Sequence, residues 1–204
     1  MVQPDGSVVV PIEAFAAQVT ISAFRSTDGG ASWSAATTVA VVSHHTSAAN
    51  IRNGGALPSA EIDRSGRVYV VWSDCRFEPG CQANDLVLST SADGLAWTAP
   101  ARVPLDPVGS MVDHFTPGIG VDPTTSGRKA HLALAYYYYA RSDCTLDTCE
   151  LHVGYSSSSN GGRSWSRPLH LAGPMNVAWL APTASGFMAG DYISTSIVPG
   201  TRRA

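Results

Sequence analysis

Charged side chains are scarce in this chain. Asp, Glu, Lys and Arg make up 14% of its 204 residues, and the 16 acidic and 13 basic residues leave a formal net charge of −3. Without a basic surface, the sequence gives no indication of a nucleic-acid partner. It also lacks an apolar run long enough to span a bilayer. Residues 1–6 contain no basic segment followed by an apolar stretch, so they are not expected to be a signal peptide.

Turn-forming residues, by contrast, are abundant. The chain has 19 Gly and 13 Pro, and Ser and Thr are scattered throughout, while 44% of all residues are hydrophobic. This composition is typical of a turn-rich all-β domain and has too many hydrophobic residues for a disordered chain. The length fits a single domain.

One pattern, Ser-x-Asp-x-Gly-x-x-Trp, occurs three times. Residues 26–33 read Ser-Thr-Asp-Gly-Gly-Ala-Ser-Trp, and residues 158–165 read Ser-Ser-Asn-Gly-Gly-Arg-Ser-Trp. Residues 91–97, Ser-Ala-Asp-Gly-Leu-Ala-Trp, form a copy that is one residue shorter. This pattern resembles the Asp-box, or BNR repeat, of sialidases and related β-propellers. The structural residues of the three copies would be Asp28, Gly30, Trp33, Asp93, Trp97, Asn160, Gly162 and Trp165.

Each copy is interpreted as a tight turn between two antiparallel strands. The Asp or Asn side chain is expected to accept hydrogen bonds from backbone N–H groups two or three residues later. The glycines supply positions with positive φ, and the Trp covers the hairpin with an apolar face. Strand-like runs at residues 19–24, 86–89 and 151–155 precede the three turns. Because the turn engages them, these Asp residues are assigned a structural role.

A second repeated pattern predicts further strands. An Asp-to-Gly turn followed by a strand occurs in residues 4–10, 63–72 and 121–134, each time upstream of an Asp-box copy. The repeating unit then has four strands, like one blade of a β-propeller. We predict an all-β, single partial propeller over residues 1–204. Its four-stranded antiparallel blades would lie at about 1–42, 57–104 and 116–172, with a further blade beginning at 186–198 and breaking off in residues 199–204.

About three and a half blades do not close a ring, and closure is what protects the edges of the sheets. The natural protein is therefore expected to be longer, with the remaining propeller blades on the same parent chain or on another chain.

Four cysteines fall into two close pairs, Cys75 with Cys81 and Cys144 with Cys149. One local disulfide in each loop is the simplest interpretation, and it implies an exported protein. The alternatives are a shared four-thiolate zinc site and reduced thiols. A secreted protein without a signal peptide in residues 1–6 is expected to be an internal or truncated piece of a precursor.

Candidate functional residues gather in long loops on the rim of the propeller opposite the Asp-box turns. This rim, called here the long-loop rim, comprises residues 44–55, 73–78, 106–115, 140–147 and 173–192. Long loops on a rigid scaffold are the default location of function. Several of these residues also have an ordinary structural interpretation. Asp74 and Arg76 could form a surface ion pair, Asp113 and His114 could form a turn, and Tyr192 could be a packed tyrosine.

The repeats, together with residues 57–63, 69–76 and 188–194, resemble secreted bacterial members of the sialidase superfamily. That resemblance implies a tyrosine nucleophile, an aspartate acid/base and arginines that bind the sialic acid carboxylate. The family's Phe-Arg-Ile-Pro motif is absent, and residues 51–53, Ile-Arg-Asn, are only a faint echo of it. No catalytic residue can therefore be assigned by motif match.

The function predicted first is a secreted sialidase-like glycoside hydrolase of the exo-α-sialidase type, or a fragment of one, that acts on glycans. Its acid/base candidates are Asp74, Asp113 and Asp191, and its nucleophile candidate is Tyr192. The substrate-binding candidates are Arg52, Arg76, His114 and Trp179. No cofactor or metal is expected. The alternative is a non-catalytic propeller that binds glycan or protein through Phe77, Phe115 and Trp179, and a third possibility is a purely structural propeller.

Overall fold

The chain folds as an incomplete all-β propeller. The computed structural model describes residues 1–53 and 55–199; residues 54 and 200–204, the last part of the predicted domain, lie outside them. Its strands are β1 (Val8–Phe15), β2 (Val19–Ser26), β3 (Thr37–Val41), β4 (Ser59–Ile62), β5 (Val68–Asp74), β6 (Asp85–Ser91), β7 (Ala101–Arg102), β8 (Asp113–Val121), β9 (Leu132–Tyr139), β10 (Glu150–Ser158), β11 (Leu169–Asn176), β12 (Ala181–Thr183) and β13 (Gly186–Met188). Short 3-10 turns occupy Pro79–Cys81, Gly127–Lys129 and Val177–Trp179.

The strands form successive antiparallel sheets, which are the blades. Blade one is the three-stranded sheet β1-β2-β3, blade two is β4-β5-β6-β7 and blade three is β8-β9-β10-β11. β12 and β13 form a separate hairpin. Among the described residues, Met1 and Val2 are the ones that pair beside Val8 and Val9 of blade one, where blades two and three have β4 and β8. The described sheets do not close into a ring, so the predicted fold class is confirmed.

Neighbouring blades pack face to face. Because side chains alternate along a strand, β5 sends Val68, Val70 and Trp72 towards blade one and Tyr69 and Val71 towards blade three. All five side chains are fully buried. Both faces of β5 are thus covered, which accounts for its nearly continuous run of apolar residues.

In all three Ser-x-Asp turns the Asp or Asn side chain accepts from later backbone N–H groups, but the spacing differs between the copies. In the first, Asp28 accepts from the backbone N–H of Ser32 at 2.9 Å, and the Ser26 hydroxyl accepts from the N–H of Gly30 at 2.9 Å. Asn160 accepts in the same way from Ser164 at 3.0 Å. The donor thus lies four residues later in the two full-length copies, rather than the two or three expected. In the shorter copy Asp93 accepts from Leu95 and Ala96, two and three residues later.

Residues 192–197 lie along the inner strand of blade three without forming a regular strand. The Thr195 hydroxyl donates to the carbonyl of Gly118 at 2.7 Å. The approach is so close that a Cβ on Gly118 or Gly120 would meet the carbonyl oxygen of Ile193 or Thr195. The two glycines therefore make room for this segment.

Both predicted disulfides are present. Cys75 is bonded to Cys81, and Cys144 to Cys149. Each bond closes the loop that joins the second and third strands of a blade, where regular backbone pairing stops. Within the described part of the chain, no helix has the length and apolar character needed to cross a membrane.

The turn geometry predicts an asymmetry between two glycines. Both have positive φ, +71° at Gly29 and +84° at Gly162, but only Gly162 is crowded: an added Cβ would lie 2.5 Å from Leu88 Cδ2, whereas nothing lies within 4 Å at Gly29. We expect Gly29→Ala to lower the free energy of unfolding by about 1 kcal/mol through backbone strain. Gly162→Ala should cost at least about 1 kcal/mol more, because it also overpacks the contact between blades. Urea unfolding of both variants tests this; equal losses would contradict the packing explanation.

Candidate functional site

The long-loop rim brings together two connections that are far apart in sequence. Residues 50–52 lead from blade one to blade two, and the β12–β13 hairpin follows blade three. Ile51 forms a parallel bridge with Phe187. The N–H of Phe187 donates to the carbonyl of Asn50 at 2.9 Å, and the N–H of Arg52 donates to that of Phe187 at 2.8 Å. These backbone bonds fix the position of Arg52 relative to the hairpin.

An exposed ion pair lies at this junction. Arg52 Nη2 is 3.0 Å from Asp191 Oδ2, and both side chains are 36% exposed. Tyr192, the next residue, is 79% exposed, and Trp179 on the same connection is 76% exposed. Four of the eight predicted catalytic and binding residues thus lie on the two joined connections, with two charged groups and two aromatic rings accessible to solvent.

Asp74 and Arg76 bind each other and hold the disulfide loop in place. Asp74 is fully buried at the end of β5. Its Oδ1 accepts from the N–H and Nε of Arg76, both at 2.9 Å, and its Oδ2 accepts from Arg76 Nη2 at 2.6 Å and from Trp72 Nε1 at 3.0 Å. Arg76 also donates to the Val41 carbonyl. These bonds lock the disulfide loop against blade one and leave Asp74 no accessible oxygen, so the geometry argues against an acid/base role for Asp74.

Asp113 and His114 are also buried, at the start of β8. The backbone N–H and the Nδ2 of Asn84 both donate to Asp113 Oδ1 at 2.8 Å. Asn84 in addition exchanges two 2.8 Å bonds with the backbone of His45. His114 Nδ1 lies 3.2 Å from the Asn84 carbonyl, which can only accept, so the proton is on Nδ1. Asn84 therefore joins the loops of three blades, and His114 is not accessible to a substrate.

Burial shifts the acid–base properties of this group. It raises the pKa of the Asp113 carboxyl, although Ser47, Asn84 and the nearby His45 work in the opposite direction. It lowers the pKa of His114, which keeps the ring neutral, although the charge of Asp106 opposes this. The pKa of the Tyr139 phenol is raised by burial and by the charge of Asp113. Asp113 thus has the chemistry of a general acid but not the access to solvent that this role needs.

Sequence reasoning missed a buried charge cluster between blades two and three. Arg102 Nη2 lies 2.7 Å from Asp85, 2.8 Å from Asp106 and 3.7 Å from Glu78. Asp85 and Glu78 are buried, and Arg102 is nearly so. Burial raises the pKa of Asp85 to about 6, against the effect of Arg102 and with added repulsion from Glu78 and Asp106. Three carboxylates thus share one guanidinium.

The same cluster has the spacing of a metal site. One ligand atom from each of Asp85, Asp106 and His114 lies within 4.8 Å of the others. The guanidinium of Arg102 already binds both carboxylates. We therefore assign the positive charge of this cluster to Arg102.

A second missed residue is Glu13 on β1. Its two carboxylate oxygens accept from the N–H groups of Ala56 and Leu57, at 3.1 and 3.3 Å. This clamp holds the entrance of blade two to blade one. Glu13 lies in an ordinary strand sequence and Asn84 in an ordinary loop, so no motif marks either of them.

Comparison with known proteins supports the fold. No family model matches the sequence. The structure is similar to the α-L-arabinanase of Penicillium chrysogenum in complex with arabinobiose, with a TM-score of 0.57 and 16% identity over 82% of this chain and 45% of that one. It is also similar to the GH93 α-L-arabinofuranosidase of Fusarium graminearum with arabinobiose, with a TM-score of 0.56 and 15% identity over 81% and 44% of the two chains. A Dyadobacter fermentans protein of unknown function has a TM-score of 0.51 and 16% identity, over 83% and 49%.

These likenesses establish the β-propeller fold and, at such low identity, the fold alone. The chain spans less than half the length of the solved structures it matches.

The charge cluster predicts that Arg102 is a strong stability determinant. Arg102→Met removes the guanidinium that pairs with Asp85 and Asp106 while keeping the apolar stem, so these carboxylates lose that partner. We expect the free energy of unfolding to fall by on the order of 3 kcal/mol. The matched control is Arg141→Met, which breaks the exposed pair between Arg141 and Asp143 and should leave unfolding unchanged. Urea unfolding measures both; equal effects would show that the cluster is not a stability determinant.

The raised pKa of Asp85 predicts a pH effect of definite sign. Its folded-state value, about 6, lies above the ordinary 3.8, so protonation favours the folded chain. The stability from this group is full below pH about 4 and is lost as the pH rises through about 6. Between pH 5 and 7 the protein should lose about 1 kcal/mol relative to Asp85→Asn, which cannot ionise. Parallel stability–pH curves for the two proteins would refute this.

Proposed function

We propose that this chain is part of a carbohydrate-acting propeller of the glycoside hydrolase class, and that the junction of Arg52, Asp191, Tyr192 and Trp179 contacts the sugar. The observation that supports this most is the exposed Arg52–Asp191 pair between two connections of the long-loop rim. Arabinobiose is bound in two of the structures with a similar fold.

The chemistry of the junction suits a sugar. An aromatic face such as that of Trp179 or Tyr192 offers a large rigid apolar surface with a polar edge, and the C–H face of a sugar ring can stack on it. The planar guanidinium of Arg52 can donate two parallel hydrogen bonds to a carboxylate or to vicinal hydroxyls. Asp191 can accept from sugar hydroxyls. A substrate with its own carboxylate would compete with Asp191 for Arg52, as expected for a sialidase-type substrate.

In the sialidase-type mechanism, Tyr192 would be the nucleophile and Asp191 the acid/base. Protonation of the leaving group needs a carboxylic acid, and Asp191 is the carboxyl group at this junction. A sugar carboxylate that takes over Arg52 would release Asp191 from its ion pair and free it to contact the leaving group. Substrate binding and the position of the acid would then be linked through one arginine.

A second candidate function is binding without hydrolysis. Glycoside hydrolysis usually needs two groups that flank the scissile bond. Of the three carboxylate candidates, only Asp191 is accessible, since Asp74 and Asp113 are fully buried. Exposed Trp179 and Tyr192 would supply the binding surface. Phe115 is buried and Phe77 is half-buried against the core between blades one and two, so both are less suited to binding.

We also propose that the protein is secreted and that further blades complete the propeller. Two disulfides favour an oxidising compartment outside the cytosol. The missing inner strand of blade one and the open face of blade three favour further blades, on the parent chain or on another chain.

The function is tested by hydrolysis and by binding. The probes are fluorogenic α-sialoside and α-L-arabinofuranoside, with arabinobiose and sialyllactose as calorimetric ligands. Arg52→Ala should raise KM or Kd at least about tenfold, the equivalent of about 1.4 kcal/mol. Asp191→Asn should lower kcat more than it raises KM if Asp191 acts in catalysis. Arg141→Ala is the exposed-arginine control and should change nothing.

The outcomes separate the two functions. Turnover that Asp191→Asn abolishes supports the hydrolase. Binding without turnover, weakened by Trp179→Ala and Arg52→Ala, supports the binding module. If none of the four probes binds or reacts, or if the variants behave like the control, the assignment of this junction falls.

A further inference from the structure

A groove rich in arginine lies between blades two and three, on the side of the Ser-x-Asp turns. Its volume is about 610 Å³, within the range of about 300–1,000 Å³ that is typical of small-ligand sites. Four arginines line it and define what is called here the arginine groove: Arg67 just before β5, Arg102 on β7, Arg128 in the turn before β9, and Arg163 in the third Ser-x-Asp turn. No Asp or Glu side chain is among its described lining residues.

Three of these arginines carry charge that no carboxylate neutralises. Among the described residues, five arginines form an ion pair with a carboxylate, and Arg67, Arg128 and Arg163 are not among them. Arg67 Nη1 donates to the Thr90 hydroxyl at 3.3 Å, and Arg128 and Arg163 are exposed. In a chain with few charged side chains, three free guanidinium groups around one groove form a strong local concentration of positive charge.

Arg102 lines the groove without adding free charge. Its guanidinium pairs with Asp85, Asp106 and Glu78, as described above. None of these three carboxylates lines the groove. The charge that a ligand would meet there is therefore set by the three other arginines.

The walls of the groove are fixed by hydrogen bonds between the two blades. The buried carboxylate of Asp63 accepts from the N–H of Arg67 at 3.1 Å and from the N–H of Gly127 at 2.7 Å. The N–H of Gly161 donates to the Ala130 carbonyl at 3.0 Å. The backbone next to each of the three free arginines is thus held in place before any ligand arrives, which lowers the cost of binding.

The repeat offers an internal comparison, because blades one and two enclose an equivalent groove. Val8 and Val68 are the first residues of β1 and β5, and each pairs with the serine that opens a Ser-x-Asp turn. The residue before each is therefore equivalent, and it is Ser7 in blade one and Arg67 in blade two.

The turn that forms the other wall differs in the same way. A Cβ added at Gly94 or at Gly162 would lie 2.5 Å from a side chain of the preceding blade, so the two glycines are equivalent. The next residue is Leu95 in the first case and Arg163 in the second. The groove between blades one and two measures about 220 Å³, and its one arginine, Arg25, is paired with a carboxylate. The propeller fold itself therefore does not require free arginines at these positions.

We propose that the arginine groove binds an acidic oligosaccharide, a glycan segment that carries carboxylate or sulfate groups. The guanidinium fork suits the paired oxygens of a carboxylate or a comparable oxyanion, and three separate arginines suit a ligand with more than one such group. The hydroxyls of Thr90 and Thr98 also line the groove and can bond to sugar hydroxyls between the charged groups.

A nucleic acid fits this groove less well. Binding of single strands relies on aromatic side chains on which bases stack. The aromatic residue among the described lining residues is Tyr69, whose ring is fully buried. The arginine groove lies on the other rim from the Arg52–Asp191 junction, so the inference does not depend on the proposed function.

Calorimetry with three hexasaccharides tests the ligand class. Hexagalacturonic acid carries carboxylates, sulfated maltohexaose carries sulfates, and maltohexaose is their neutral counterpart. We expect at least one acidic probe to bind at least about tenfold more tightly than maltohexaose, and that difference to shrink as salt is added. The acidic probe that binds identifies carboxylate or sulfate as the recognised group. Equal affinity for all three probes, or no binding, overturns the proposal.

Substitutions locate the binding. Arg128→Ala and Arg163→Ala should each weaken the acidic probe at least about fivefold, and Arg163→Lys should weaken it less, since it keeps the charge without the fork. Arg167→Ala is the matched control: it removes an exposed arginine close to Arg163 that does not line the groove, and it should change nothing. All four side chains to be changed or compared are at the surface, so urea unfolding should be unaffected.

Three further results would contradict the assignment. If Arg163→Ala binds like Arg167→Ala, the arginines do not form the site. If Arg52→Ala weakens the acidic probe as much as Arg163→Ala does, the ligand lies at the junction instead. If hexaglutamate binds while neither acidic sugar does, the groove takes an acidic peptide. Arabinobiose and sialyllactose should bind Arg163→Ala as they bind the unchanged chain, so failure of the groove and failure of the junction are seen separately.

Discussion

Every blade of this chain is a sheet with two apolar faces, and each face is stable only when a neighbouring blade covers it. Blade two meets this condition fully, since Val68, Val70 and Trp72 are buried on one side and Tyr69 and Val71 on the other. Among the described residues, blade one meets it on one side only, and blade three on one side and, through residues 192–197, on part of the other. The hydrophobic effect that holds the three blades together therefore leaves, at each end, the same kind of surface that it buries in the middle.

Polar contacts determine what the long-loop rim can do. Where strand pairing stops, Asp74 saturates its oxygens with Arg76 and Trp72, and Asn84 joins Asp113 to the backbone of His45. A buried carboxylate is tolerated only with such partners, and those partners remove it from chemistry at the surface. What remains available is the Arg52–Asp191 pair, which is weak because it is exposed, and whose groups a ligand can therefore displace at little cost.

The repeats allowed the turns and the strands around them to be predicted, because at Asp28, Asp93 and Asn160 the side chain accepts from backbone N–H groups within the next four residues. The two disulfides followed from cysteines five and six residues apart. Which side chains of the long-loop rim are buried could not be predicted. Asp74, Asp113 and Asp191 look alike in sequence, and only the fold decides which is buried. The Arg102 cluster was not predicted because its partners come from a loop, a strand and the connection after blade two and carry no shared motif; they are Glu78, Asp85 and Asp106.

The site and the closure of the ring are physically linked. Arg52 lies at the entrance of blade two and Asp191 beyond blade three, so their pairing depends on how blades one to three are held around the propeller axis. Closure would fix Asp191 and Tyr192 by pairing the segment that follows them with a sheet, and would bring further side chains to the centre of the same rim.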